Sequence, residues 1–185
     1  MKKIITTLVF LITLISYSQE NIVPVEEASQ HNAFETPKVY YKDVNGVFNK
    51  FIGTWRYQSS STPVKVFEIT FYKIEQRDQG NISFTDELWS YFRYTVNDEV
   101  VYETYEGDIG YISGSILLNQ NKMKMLFSEP IIDNTSIRNN PSGRLIMEYL
   151  NEGGVEKLVW NVECSLNQNG NIPFRIPITM LLIKQ

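Results

Sequence analysis

An alternation of apolar and polar side chains with period two runs through most of this chain after Trp55 and limits its fold to β-structure. Phe67, Ile69 and Phe71, with polar residues between them, show the pattern clearly. It is typical of strands that bury one face. We count about nine such segments, and none is followed by enough residues for a crossover helix. We therefore expect antiparallel pairing between sequence neighbours.

Turn residues separate these segments. Asn97-Asp98 predicts a hairpin turn, as do residues 119–121, 151–154 and 167–171, and the last strand is predicted over residues 174–183. Residues 129–142 form the longest predicted loop. Sequential strands can lie flat, form a sandwich or close into a barrel, and closure removes exposed strand edges. The sequence thus favours an all-β, antiparallel up-and-down barrel of about 8–10 strands, with a sandwich as the alternative.

The N-terminus predicts an export signal. Lys2 and Lys3 precede an apolar run, and Ser16-Tyr17-Ser18 supplies small residues at the cleavage positions, so residues 1–18 read as a signal peptide. The apolar run is shorter than the ~20 residues that a membrane span needs. We therefore expect an exported protein, periplasmic or secreted, without a transmembrane segment after cleavage.

The mature chain is predicted to have two parts. Residues 19–42 lack a clear period and are expected to form an extended leader, and residues 43–185 form the β-barrel domain. Asp43 is a plausible N-cap for a short helix at the start of this domain. Its apolar stripe would be formed by Val44, Val47, Phe48 and Phe51.

The charge balance argues against nucleic acid as a partner. Removal of Lys2 and Lys3 with the signal peptide changes the net charge from −4 to −6. Phosphate binding needs clustered Lys and Arg residues, and the sequence contains no such cluster.

Common catalytic and metal-binding constellations are missing from the sequence. The only histidine, His31, precedes the domain, and the only cysteine, Cys164, shares the alternation of apolar residues and is expected to be buried and inert. One His and one Cys cannot form a zinc site, and no Gly-rich phosphate loop is visible. We therefore predict that the protein is not an enzyme and binds no cofactor or metal.

Clustered carboxylates are the remaining candidates for chemistry. They could form a calcium site or a glycosidase-like pair, but exposure to solvent on two strands is the expected explanation. This cluster comprises Asp98, Glu99, Glu103, Glu106 and Asp108.

Aromatic residues are abundant, with 10 Phe, 11 Tyr and 3 Trp. Residues 88–96 carry them on both faces of a predicted strand. Aromatic side chains suit apolar ligands and sugar rings, although strands also favour them for packing. The candidates for lining an internal cavity are Tyr57, Phe71, Phe92, Tyr102 and Trp160.

The segment Phe51-Ile52-Gly53-Thr54-Trp55 resembles the opening of the calycins, the lipocalins and fatty-acid-binding proteins. This resemblance implies that Gly53 and Trp55 are structural, that Trp55 plugs one end of a barrel, and that a basic residue of the last strand packs over it. Arg175 and Lys184 are the two candidates for that residue. A second lipocalin motif and the C-terminal helix are not recognisable.

A closer resemblance covers most of the mature chain. Residues 40–45, 48–55 and 94–98 are similar to a secreted Bacteroidetes family catalogued as a domain of unknown function. This similarity implies a small exported β-domain and supplies no activity.

Two functions are compatible with these features. The favoured expectation is a non-enzymatic, secreted or periplasmic lipocalin-like barrel that binds a small apolar or amphipathic ligand inside. The alternative is a protein- or glycan-interaction module of the cell envelope that uses its outer face, or a homo-oligomer that associates through that face. This alternative rests on the last strand, where Pro177, Leu181 and Ile183 lie on the face opposite to an apolar inner side.

Overall fold

The computed structural model describes residues 21–30, 39–80, 82–108, 111–130, 140–165 and 173–185. These residues form eleven strands and one short 3-10 helix, Val25–Gln30, which confirms the all-β prediction. The predicted signal peptide, His31 and the predicted turn 167–171 lie outside the described residues. The strands are β1 (Asn21–Pro24), β2 (Val39–Lys42), β3 (Gly53–Gln58), β4 (Lys65–Asp78), β5 (Ser83–Val96), β6 (Glu99–Glu103), β7 (Ile112–Asn119), β8 (Lys122–Ser128), β9 (Ser142–Glu152), β10 (Val155–Glu163) and β11 (Thr179–Lys184).

All eleven strands belong to one mixed sheet in the order β1-β2-β5-β4-β3-β11-β10-β9-β8-β7, and β6 pairs with the C-terminal part of β5. Pairing from β3 to β5 and from β7 to β11 is antiparallel and sequential, as predicted. The parallel pairs β1–β2 and β2–β5 were not predicted. The β3–β11 pair joins the first and last strands of the predicted barrel domain.

The predicted closed barrel is wrong, because the sheet stays open between β5 and β7. No backbone ladder joins these two strands within the described residues. The β7–β8 register shifts between Ser113 and Ile116, which leaves Ser115 outside the ladder. Its hydroxyl instead bridges the opening: it accepts a hydrogen bond from the Leu88 amide at 2.9 Å and approaches the Leu88 carbonyl at 3.3 Å. We call this opening the β5–β7 seam.

The predicted leader contains β1, the 3-10 helix and β2. Val39, Tyr40 and Tyr41 are all buried, so this strand shows no alternation of apolar and polar residues. A strand covered on both faces loses the period-two signal. The leader therefore looked aperiodic in the sequence although part of it is paired into the sheet.

The predicted short helix is replaced by consecutive turns over residues 44–51. Asp43 caps them, since its carboxylate accepts hydrogen bonds from the amides of Val47 at 2.6 Å and Phe48 at 3.3 Å. Phe48 is buried as predicted, whereas Val44 is half exposed. Gly46 has φ +64°, which interrupts a regular helix at this point.

The turns predicted at Asn97-Asp98 and at residues 151–154 are confirmed. Asn97 and Asp98 have φ of 51° and 65° and join β5 to β6, while Gly153 and Gly154 join β9 to β10 with φ of 63° and 84°. Two successive residues with positive φ are what a tight two-residue hairpin turn requires. The last strand begins later than predicted, at Thr179.

A smaller cluster of Val23, Val39 and Tyr41 lies at β1 and β2, and the main hydrophobic core fills the space between the inward faces of the other strands. Its large members that are shielded almost completely from solvent include Trp55, Trp160, Phe67, Phe92, Phe127 and Met123.

Candidate functional site

Trp55 lies on β3, opposite Ile69 of β4 and Lys184 of β11, and is fully buried. Its indole N–H donates a hydrogen bond to the Phe51 carbonyl at 2.8 Å, so the preceding turn covers the ring. The Lys184 ammonium lies 5.3 Å from the ring centroid. Gly53 has φ +119°, and a Cβ there would come within 3.3 Å of Lys184 Cε. Of the two basic candidates, Lys184 therefore packs over Trp55.

Arg175 lies elsewhere, before β11, beside a buried carboxylate that the sequence did not single out. Glu129 is only 2% exposed and accepts hydrogen bonds from the amides of Arg175 and Ile176 at 2.8–2.9 Å and from the Tyr102 hydroxyl at 3.1 Å. Burial raises the pKa of Glu129 despite these bonds. Burial, together with Glu129, also raises the pKa of Tyr102 to about 12. Protein donors occupy both carboxylate oxygens, so Glu129 anchors the chain before β11.

The residues predicted to line a cavity belong to the core. Trp160 is fully buried, and its ring centroid lies 5.2 Å from that of Phe67 and 5.3 Å from that of Phe127. Phe92 contacts the same cluster, with 5.4 Å between its centroid and that of Phe67. Phe71 is also buried. Tyr102, which is buried too, stacks on Tyr94, and Tyr57 is half-buried against the core. These side chains contact one another and other core residues.

The clustered carboxylates are all exposed, as predicted. Glu103 lies 3.6 Å from Arg93, and Asp108 accepts a hydrogen bond from the Tyr105 amide at 2.7 Å. Across the described part of the chain, no three His, Cys, Asp or Glu side chains converge as a metal site would require.

A second group of aromatic side chains lies on the outer face of β4 and β5. Tyr72 is directly opposite Trp89 in the β4–β5 register, and its ring centroid lies 6.3 Å from that of Tyr91. All three side chains are half-buried. We call Tyr72, Trp89 and Tyr91 the aromatic face. The aromatic residues on both faces of segment 88–96 were the sequence signal for it.

Polar neighbours hold the Trp89 ring in place. The Arg77 guanidinium carbon lies 4.9 Å from the ring centroid, and the indole N–H donates a hydrogen bond to Glu87 at 3.2 Å. Glu87 also pairs with Arg77 and accepts a hydrogen bond from the Gln79 side chain at 2.7 Å. One side of the indole therefore carries the guanidinium, and the ring has little freedom to rotate.

Comparison with known families adds one result. A family model described as a family of unknown function (DUF6705) matches residues 1–185, the whole chain. The chain belongs to this family. No curated protein and no solved structure was found to match. Membership of DUF6705 therefore supplies no activity, and functional inference rests on the geometry.

Two further features of this DUF6705 chain concern the predicted burial of Cys164 and the predicted lack of a transmembrane segment. Cys164 is half-buried rather than fully buried, because it follows the end of β10, and it is a free thiol. In the part of the chain that the structure describes, no helix has the length and apolar character needed to cross a bilayer.

Proposed function

We propose that this protein is an exported, non-enzymatic interaction module of the cell envelope that binds a neutral glycan on its aromatic face. The observation that carries the proposal is the placement of Tyr72, Trp89 and Tyr91 together on the outside of the sheet. Side chains that serve only as core would point inward, as those of Phe71 and Phe92 do.

The chemistry of these side chains suits sugar rings. Tyr and Trp combine a flat apolar face with a polar tip, so they can contact the C–H face of a sugar while hydrogen-bonding its hydroxyls. Arg77 and Glu87 restrain Trp89 before any ligand arrives. A restrained side chain loses less conformational entropy on binding.

The charges around the aromatic face favour a neutral ligand. The nearby cations are paired with carboxylates, so they offer hydrogen-bonding groups without a large net charge. Two further pairs lie in one row across β3 to β6, where residues of alternating sign are directly opposite one another. These two pairs are Arg56–Glu68 at 3.3 Å and Arg93–Glu103 at 3.6 Å, and beside Trp89 the Arg77 guanidinium pairs with Glu87.

A second candidate function is the calycin-like carriage of a small ligand inside the sheet. It is supported by the contact between Trp55 and Lys184, by the open β5–β7 seam, and by the Trp160 indole N–H, which is buried and has no hydrogen-bond partner within the described residues. The glycan proposal has stronger support, because the residues expected to line the cavity, such as Phe92, pack against other core rings.

Tryptophan fluorescence can test the proposal directly. Trp55 and Trp160 are fully buried, so Trp89 is the only one of the three tryptophans that iodide can reach. We expect at least one neutral polysaccharide from a glycan array to protect the mature protein from iodide quenching and to retard it in affinity electrophoresis.

Variants then locate the site. Tyr91→Ala and Trp89→Ala should abolish retardation, whereas Leu181→Ala, which removes a side chain that is 45% exposed on β11, should not change it. Binding only to acidic glycans, no binding, or unchanged binding by both aromatic variants would refute the proposal.

Native mass spectrometry of protein purified from its own host tests the carrier function. If the protein carries a ligand inside the sheet, a small molecule should co-purify with the parent protein and also with Trp89→Ala, because Trp89 lies on the outer face.

A further inference from the structure

We infer that the outer surface of β7, β8 and β9 carries a second binding site, for an amphipathic anion that joins an apolar chain to a carboxylate. This site lies outside the rolled sheet and does not depend on the glycan proposal. Its basis is a groove of about 380 Å³. That volume falls within the ~300–1,000 Å³ typical of small-molecule sites. We call it the β7–β9 groove; its lining residues are Ser113, Gly114, Ile116, Lys124, Met125, Leu126 and Arg144.

The groove exposes apolar surface to water. Ile116 is 45% exposed and Leu126 is 51% exposed, although both are large aliphatic residues on a folded sheet. Burial of such surface by a ligand contributes roughly 25 cal/mol per Å². The walls can therefore supply a favourable hydrophobic contribution to binding.

The β-bulge in β7 creates the space. The register passes from Ser113 opposite Leu126 to Ile116 opposite Lys124, so β7 has an additional residue at this point. Bulges bend the strand that carries them and can redirect its side chains. Gly114 lies in the bulge with φ +74°, and a Cβ added there would meet no atom within 4 Å. The missing side chain leaves this part of the groove unfilled.

The charge of the groove is positive, in contrast to the chain as a whole. Lys124 lies between Ile116 on β7 and Ile146 on β9, and it forms no ion pair within the described residues. The neighbouring Lys122, by comparison, pairs with Glu148 at 3.1 Å. The whole chain carries a net charge of −4, whereas the two charged residues that line the groove are both cations.

The second cation of the groove is also available. Arg144 lies opposite Leu126 and is 3.4 Å from Glu163, but both of these charged side chains are more than half exposed. Exposed ion pairs contribute little free energy, so a ligand carboxylate can compete for the guanidinium. An apolar wall between two cations matches a ligand with an apolar chain and one anionic end.

Decanoate is a suitable probe. We expect a titration of the mature protein, followed by amide NMR shifts, to show saturable changes at residues 113–116, 124–126 and 144. Decyltrimethylammonium, which has the same chain and the opposite charge, should bind at least about tenfold more weakly. Decanol supplies the uncharged comparison.

Matched variants separate the two parts of the site. Lys124→Gln and Leu126→Asn should each weaken decanoate binding about fivefold or more. Lys65→Gln on β4 and Leu181→Asn on β11 should leave it unchanged. All four positions are at least partly exposed, and far-UV circular dichroism checks that the variants remain folded.

Three results would overturn the inference. Equal binding of decanoate and decyltrimethylammonium would show non-specific association with apolar surface. Shifts centred on the buried Trp160 indole would place the ligand inside the sheet. No saturable shifts at millimolar decanoate would show that the groove binds no such anion.

Discussion

Asp86 joins segments that are distant in sequence. Its carboxylate accepts hydrogen bonds from the Tyr40 hydroxyl at 2.6 Å, the Asp43 amide at 2.9 Å and the Gln76 amide at 3.0 Å. Burial opposes ionisation of Asp86, but these bonds and the nearby Lys73 outweigh it and lower its pKa below the ordinary value of 3.8. Burial, together with Asp86, raises the pKa of Tyr40.

This arrangement predicts a pH-dependent loss of stability in Asp86→Asn. An amide places N–H groups where the carboxylate accepts bonds, so we expect the free energy of unfolding to fall by about 2–4 kcal/mol at pH 7. Because the folded-state pKa is lowered, the stabilisation by Asp86 is present above the unfolded-state pKa and disappears as the pH falls through the folded-state value. The difference from the parent protein should therefore shrink below about pH 4.

Urea unfolding at pH 7 and pH 3 measures this difference. Glu99→Gln makes the same chemical change at an exposed position and should have little effect at either pH. If Asp86→Asn lowers the free energy of unfolding equally at pH 7 and at pH 3, Asp86 does not stabilise the fold as an ionised carboxylate.

Strand β9 depends on a glycine that its own sequence pattern does not explain. Gly143 lies opposite Phe127 of β8, and a Cβ there would lie 2.6 Å from Val162 Cγ1 and 2.8 Å from the Glu163 carbonyl oxygen. The second atom belongs to the backbone of β10 and cannot rotate away. The absence of a side chain at residue 143 therefore allows the close approach of β10 to β9.

Gly143→Ala should consequently destabilise the β9–β10 pair. We expect the free energy of unfolding to fall by about 1–3 kcal/mol, because the backbone must shift to relieve the contact. Thermal unfolding followed by circular dichroism measures the effect. Ser142→Ala at the adjacent exposed residue is the control and should change the midpoint only slightly. An unchanged midpoint in Gly143→Ala would mean that β10 can move without cost.

The molecule as a whole is a rolled sheet in which β5 and β7 lie side by side without a backbone ladder in the described part of the chain, and the Ser115 hydroxyl bridges them. Ser115 bonds both the amide and the carbonyl of Leu88 and so replaces a missing backbone partner. On the remaining edge of β5, Ser83–Thr85 pair with β2 and Arg93–Val96 pair with β6. Ser115 thus bridges the seam between these two paired parts of the β5 edge.

Ser115→Ala should weaken the seam. It leaves two backbone groups of Leu88 without this partner, and we expect a loss of about 1–3 kcal/mol in the free energy of unfolding. Hydrogen exchange should show faster exchange of the Leu88 amide. Ser113→Ala, which changes a nearby serine outside the seam, should preserve its protection. If Leu88 stays equally protected in Ser115→Ala, another group must satisfy its amide.

Local signals in the sequence were sufficient for part of the fold. The alternation of Phe67, Ile69 and Phe71 with polar residues predicted which side chains point inward, and all three are buried. Asn97-Asp98 and Gly153-Gly154 predicted tight turns because few residues tolerate positive φ. The predicted exposure of the carboxylates from Asp98 to Asp108 followed from the cost of burying charge.

Other features depend on segments that are far apart. Glu129 appeared in the sequence only as the start of a loop, yet the amides of residues 175 and 176 surround it. Tyr40 and Tyr41 gave no strand signal, because their strand is buried on both sides. The aromatic residues of segment 88–96 indicated part of the aromatic face in the sequence. Tyr72 joins that face only through the β4–β5 register.

The sequence by itself determined the all-β class, most strand and hairpin positions and the inward faces, because period-two alternation and turn conformation are properties of neighbouring residues. Only the tertiary structure decided where the sheet stays open, which outward aromatic rings share a surface, and that Lys124 has no acidic neighbour across its strand pairs. These features depend on the register between strands that are far apart in the chain, and alternation within one strand contains no information about its partner.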